Sequence, residues 1–442
     1  MLLATQWLKH GLVRSSLSPP AGAAPTDPTE RGVAGRREFV GLIAGCIGLT
    51  ALGIDAVLPA FAEMRSDFGL PPGSTQIAWV LTAYFLGLAF GQLFYGPLSD
   101  RFGRKPLLYV GFGLYMVGAI GSALAPSLAV LIVGRVVWGL GAAGPRSLAI
   151  AMVRDRFEGD QMARTMSFAM TIFIMVPVVA PSLGALVLRV APWPGVFWLT
   201  VVVAAMLVLW SIRLPETLPA SRRRAGGLGE LAKAARTVIH TRATVAYGLA
   251  AGCLFGSMAA YLGNSELVID EVFHHKAQFP LIFGGLALFM GLATLLNARL
   301  VVAIGVALVL RRVSLALMVA SLGFVVLALA TGGRPPFWAY CVAMAILLPL
   351  HTTLLPNCNT AAMTPVGKVA GTAAAIIGTG TTAGGAILGS LVDRFYDGTI
   401  RPFAVAVLVF AVFTGALIRA ADPGGAAAKL RAPAAQPAKL TL

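Results

Sequence analysis

From about residue 38 onward the chain alternates between long uninterrupted apolar runs and short stretches where Arg, Lys, Asp, Pro and Gly collect. Twelve runs can be drawn, at about 39–62, 76–98, 106–125, 127–153, 165–188, 194–212, 243–264, 278–297, 311–331, 336–357, 369–392 and 402–420. Each is close to ~20 residues or longer, enough at about 1.5 Å per residue to cross a hydrocarbon layer of ~30 Å. The runs are apolar on every face, whereas a barrel strand alternates polar and apolar residues over about ten positions. The predicted elements are therefore twelve transmembrane helices, and the predicted fold class is all-α integral membrane.

Composition agrees: 57% of residues are hydrophobic and 12% charged, with mean hydropathy +0.82, which excludes an ordinary soluble domain. The net charge of +16 does not point to nucleic acid, because most Lys and Arg fall on alternate loops and on the two tails. That asymmetry follows the positive-inside rule and places both termini in the cytoplasm. A basic linker with Arg213, Arg222, Arg223, Arg224, Lys233, Arg236 and Arg242 separates the spans six and six, and suits an anionic lipid surface. The expected organisation is a disordered leader (1–37), a first six-helix bundle (38–213), the linker (214–242), a second bundle (243–421) and a disordered tail (422–442). The leader carries no clean secretory signal, since Lys9 and His10 interrupt its apolar start. Cys46, Cys253, Cys341 and Cys358 fall in or near apolar spans without a CxxC pair and read as packing residues.

A two-fold repeat appears once the spans are drawn. SLGALVLR (Ser182–Arg189) ends the fifth span and ILGSLVDR (Ile387–Arg394) ends the eleventh. ATLLNARL (Ala293–Leu300) ends the eighth span as a polar loop ends the second, with Asn297 near the place of Asp100. The chain reads as a duplicated six-helix unit, a design that encloses a central cavity and rocks about a site near the bilayer midplane.

Ionisable residues inside spans cost roughly 2.5 to 3.5 kcal/mol even on permissive scales, so Asp55 and Arg135 must face a cavity or each other. They lie at similar depth on antiparallel helices and can meet. A carboxylate that changes partner or access can take up and release a proton; a static ion pair, or a cap ordering Pro59, is the other reading. Arg146, on the same helix as Arg135, either snorkels or lines the inner cavity. Pro177 and Pro181 remove two backbone donors from the fifth helix, where a bend is expected. Gly184 and Gly389 permit close helix contact at the symmetric seam.

The loop GPLSDRFGRKPLL (Gly96–Leu108) resembles the signature of the major facilitator superfamily, with Gly96 for close helix approach, Asp100 at the cytoplasmic mouth, and Gly103, Arg104 and Lys105 in a tight turn. GIDAVLPAF in the first span, LIVGRVVWGLGAAGP in the fourth, MVPVVAPSLGA in the fifth and LLPNCNTAAMTPVGKVAGTAAAIIG near the eleventh narrow the resemblance to the Bcr/CflA branch of drug/proton antiporters. Two departures are a Val176–Pro177 pair where the family has Gly-Pro, and a second signature loop without its acid. The resemblance implies two pseudo-symmetric bundles and proton-coupled efflux of amphipathic drugs across the inner membrane. Its partners would be a small-molecule substrate, protons and the lipid bilayer, with no nucleic acid. It implies roles for Asp55 and Arg135, matching the family's Asp-x-x-x-Pro and fourth-helix Arg, and a conformational latch of Asp100, Arg104 and Asp155 that locks onto the start of the eleventh helix. A single-metabolite transporter with the same fold, or a membrane sensor, are the alternatives.

Glu266, Asp270 and His274 are spaced four apart near an outer span end; a solvated helix end is the simpler reading than a metal site, with Glu266 a candidate for substrate or proton contact. His351 reads as an interhelical hydrogen-bonding residue. Trp193, Trp198, Trp210 and Trp338 read as interfacial anchors, and Trp79, Tyr84 and Trp138 as a cavity wall. No nucleotide-binding loop or HExxH occurs in the chain, so the reading is a monomer without cofactor or metal that is not an enzyme.

Overall fold

The computed structural model describes residues 35–223 and 228–421; the readings of 1–34 and 422–442 as disordered, and Arg224 of the linker, lie outside the described residues. All twelve predicted spans are helical: α1 (Arg36–Asp55), α2 (Trp79–Phe102), α3 (Arg104–Ala123), α4 (Leu128–Arg156), α5 (Gly159–Leu188), α6 (Pro194–Ser211), α7 (Arg242–Leu267), α8 (Phe279–Ile304), α9 (Val306–Ala330), α10 (Phe337–Met363), α11 (Ala370–Asp393) and α12 (Arg401–Ala421). Several outlast their apolar windows, as α2 does through Asp100 and Arg101 to Phe102. Charged side chains at a membrane rim reach water without interrupting the helix backbone.

The first span is not one helix. α1 stops at Asp55, a 3-10 turn covers Leu58–Ala60, and a short helix Phe61–Asp67 continues outward. Pro59 has no N–H to offer the Asp55 carbonyl, so the regular ladder cannot pass. Pro177 and Pro181 are accommodated differently, because α5 runs on through both.

Two tight joins repeat between the halves. Gly103 (φ 102°) links α2 to α3 and Gly305 (φ 79°) links α8 to α9, both conformations that glycine adopts without steric strain. Gly305, rather than the region of Asn297, is thus the second-half counterpart of the signature turn. Asn297 lies inside α8, where its Oδ1 accepts from Asn357 Nδ2 at 2.8 Å. A Cβ at Gly184 of α5 would overlap the Ala56 carbonyl, and one at Gly389 of α11 would lie 2.7 Å from Ala259 Cβ on α7.

The two halves meet along α5–α8 and α2–α11. The Cβ position of Gly284 is 2.7 Å from the Val178 carbonyl oxygen, and Thr379 Oγ1 donates to the Ala89 carbonyl at 2.8 Å. Phe85 and Phe255 add an edge contact, with centroids 5.2 Å apart. The linker, read from sequence as a basic connection, contains a helix over Leu228–His240. Its Ala234 and Val238 are buried while Lys233 and Arg236 are exposed, and Val238 joins Ala362, Val366, Ala373 and Ile377 at the base of the second half. Burying one such valine is worth about 1.5 to 3 kcal/mol, which anchors the linker without removing its charges from water.

Candidate functional site: the broken first helix and two polar seams

Arg135 is completely buried. Its Nη1 donates to the Gly53 carbonyl at 2.9 Å and its Nε to the Val80 carbonyl at 3.0 Å. Its guanidinium lies 4.6 Å from the Tyr84 ring centroid and 4.7 Å from that of Trp138. Such faces attract a desolvated cation by about 2 kcal/mol, so Tyr84 and Trp138 surround the cation instead of lining a cavity wall. Tyr84 and Tyr115 donate their hydroxyls to the Thr50 and Leu49 carbonyls at 3.1 and 3.2 Å. Three helices therefore grip the last turns of α1, just before its break, where helix carbonyls carry partial negative charge.

The anticipated Asp55–Arg135 pair does not form. Asp55 is buried, with 4% exposure, and has no hydrogen bond or ion pair among the described residues. Similar expected depth did not fix direction, because successive side chains turn by about 100° around a helix, and the Arg135 donors go to the Gly53 and Val80 carbonyls. Arg146 is half-buried over the Phe173 ring, 5.6 Å from its centroid, and likewise makes no ion pair among the described residues.

At the end carrying Gly103, Arg104 is buried and binds Asp100 Oδ1 at 2.6 Å and Asp155 Oδ2 at 2.9 Å. It does not reach α11. The loop is tied instead to the start of the linker, where Glu216 accepts from the backbone N–H groups of Arg104 and Lys105 at 2.9 and 3.2 Å. This caps α3 with a carboxylate, the favourable sign for a helix N-terminus. Lys105 Nζ donates to the Ile212 carbonyl at 2.9 Å. A Cβ at Gly96 would meet nothing within 4 Å, so the close helix approach expected there is absent from this structure.

The opposite end holds a seam that the sequence reading largely passed over. Arg65, in the short helix after α1, binds Glu266 of α7 at 2.9 Å with both side chains buried. Arg65 Nε donates to the Ser74 carbonyl at 3.1 Å. This replaces the solvated helix end expected for Glu266. A π turn over Val268–Val272 breaks the four-residue spacing, and Asp270 turns to Lys276 at 3.5 Å. Arg394 stacks 5.4 Å from the Trp79 ring across the halves, and Asn264 Nδ2 donates to Asp393 Oδ1 at 2.7 Å. Arg65, Glu216 and Asp393 were missed because each lies at or beyond an apolar boundary, where charge looks ordinary. The one available signal was the VDR ending of the second repeat against VLR in the first.

Two further residues differ from expectation. His351 Nδ1 bonds within its own helix, 2.8 Å from the Leu347 carbonyl. Trp193 is buried, and its indole donates to Asp67 Oδ2 at 2.7 Å, pinning the short helix Phe61–Asp67. Between α1, α5 and α6 lies an apolar groove of about 310 Å³, bordered by Gly48, Leu52, Met175, Val179 and Leu207.

The family profile described as Major Facilitator Superfamily matches residues 43–389. A bicyclomycin resistance protein homolog of Haemophilus influenzae is 30% identical over 358 residues, covering 80% of this chain and 88% of that protein. The multidrug resistance protein MdtL of Escherichia coli is 33% identical over 170 residues, covering 38% and 43%. Among solved structures, a D-xylose-proton symporter superposes with a TM-score of 0.68 at 14% identity, covering 87% of this chain and 98% of its own. The helix order, the repeated glycine joins and these similarities lead to one assignment: the chain is a multi-pass membrane transporter of the major facilitator superfamily, in its Bcr/CflA drug/proton antiporter branch.

Proposed function

We propose that this transporter exports amphipathic drugs in exchange for protons, as a monomer, by alternating access of its two six-helix halves. It lies in the inner membrane with both termini cytoplasmic, and confers resistance to antibiotics. The observation that carries the reading is Asp55: a buried carboxyl at the break of α1, with no cation or hydrogen-bond partner among the described residues. A carboxyl so placed exchanges a proton when its access to water changes. Arg135, committed to backbone carbonyls, shapes the break rather than neutralising Asp55. Drug as cargo is supported by the resistance names of the relatives and by the apolar groove beside α1. In this reading the Arg65–Glu266 seam closes the outer mouth, and the Asp100–Arg104–Asp155 cluster, already paired here, is the latch that engages α11 in the opposite state.

Arg146 favours a second reading, transport of a single anionic metabolite, since a half-buried guanidinium without an ionic partner among the described residues is a ready anion site. Inverted membrane vesicles separate the two. With an acid interior, the drug reading expects saturable uptake of several unrelated amphipathic compounds, abolished by a protonophore. Uptake of one organic anion alone, with no response to the drug panel, would transfer the assignment to the second reading.

A further inference from the structure

The Asp393–Asn264 contact is an unusual piece of chemistry for the end of a membrane helix. Asp393 is 5% exposed. Its Oδ1 receives one neutral donor, the Asn264 amide, while its Oδ2 lies 2.6 Å from the Cβ position of Gly263, a position that is itself 3.2 Å from Ala78 Cβ of the first half. The carboxyl thus lies against the Gly263 backbone, at the place where α7 meets the residues leading into α2. Asn264 Oδ1, on the same amide, is buried and without a hydrogen-bond partner. An ionised carboxylate is acceptor-only, whereas a protonated one is also a donor. Protonation gives the carboxyl the donor that this unused acceptor calls for, whereas the ionised form has none to offer.

The surrounding charges are committed elsewhere. On α7, Glu266 is held by Arg65 and Asp270 by Lys276, while Glu271 takes the Tyr396 hydroxyl. After Asp393, Arg394 is exposed and stacks on Trp79 of α2, and Asp397 takes the Thr399 hydroxyl. None of these is a cation for Asp393.

We propose that Asp393 and Asn264 form a second proton-binding site, separate from Asp55, and that the outer seam closes over its protonated form. The proton comes from the outer aqueous phase as the seam closes, and returns there when the halves part. This inference rests on the proton-coupled reading, to which it adds a reason for external acid to favour closure.

The test uses the full chain in lipid nanodiscs, with Cys46, Cys253, Cys341 and Cys358 replaced and spin labels at the exposed outer residues Leu124 and Trp338. Distance distributions are recorded as a function of pH. The parent should shift from the short to the long distance as pH rises, by up to about tenfold in ratio per pH unit for one proton. Asp55→Asn should retain the part of the response that Asp393 carries, and adding Asp393→Asn to it should hold the short distance at every pH. Asn264→Leu, which leaves the carboxyl and removes its amide, should move the midpoint. An Asp393→Asn chain with the parent's pH response, or a parent with none, overturns the site. If Asp393→Asn fails to insert, an unchanged midpoint in Asn264→Leu overturns it alone. Because the label distance is read without drug, a normal seam response in a chain that exchanges no protons for drug defeats the proposed function and leaves this site standing.

Discussion

At the residue scale the main result is the division of labour between Arg135 and Asp55. Arg135 has its partners in the Gly53 and Val80 carbonyls, whereas Asp55 is buried with no hydrogen-bond or ionic partner among the described residues. Arg135→Ala strips two buried carbonyls of donors, at about 1 to 3 kcal/mol each, and empties an aromatic cage. Expression and thermal midpoint in detergent should both fall. Arg135→Lys keeps the charge but has no planar fork to span α1 and α2, so its midpoint should lie between the parent and the alanine variant. A lysine variant as stable as the parent would show that charge alone holds the break. The sequence made both residues legible as charges within apolar spans. Their partners were not legible, because a carbonyl acceptor leaves no trace in residue identity and an axial position does not give the direction around a helix.

At the element scale, the glycines separate contacts made in this state from contacts made in another. Gly184 backs onto the Ala56 carbonyl, while Gly96 meets nothing. Gly184→Ala should push α5 from the break of α1 and lower both stability and transport. Gly96→Ala should leave the thermal midpoint within the small change typical of open sites, about 0.5 kcal/mol. If Gly96→Ala nevertheless halts transport, its close approach belongs to the outward-facing state, as the signature motif implies. The Glu216 cap gives a second check: Glu216→Ala should cost about 0.5 to 2 kcal/mol and speed hydrogen exchange at the Arg104 and Lys105 amides, and unchanged exchange there would contradict the cap. The twelve helices were readable because a membrane imposes length and apolarity on each. The break at Pro59, the π turn after α7 and the linker helix were not, since they rest on a few residues whose apolar pattern is indistinguishable from their neighbours'.

At the scale of the whole molecule, the two halves are joined at the end opposite Gly103 by a buried ion pair between Arg65 and Glu266. Removing one member of a buried pair typically costs about 3 to 5 kcal/mol, so Glu266→Gln should raise the population with an open outer mouth, read as longer distances between labels at Leu124 and Trp338. An unchanged distribution would remove that pair from the closure. The duplication was visible in the sequence from its repeated span endings, but the state of the molecule was not, because either state satisfies the same apolar pattern. The central claim is that drug and proton move in opposite directions through a site whose proton carrier is Asp55. The most direct measurement is proton release from the purified detergent-solubilised protein on addition of drug in weakly buffered solution, parent against Asp55→Asn. The account predicts stoichiometric release from the parent and none from the variant, with drug still bound by both; equal release from both proteins would contradict it.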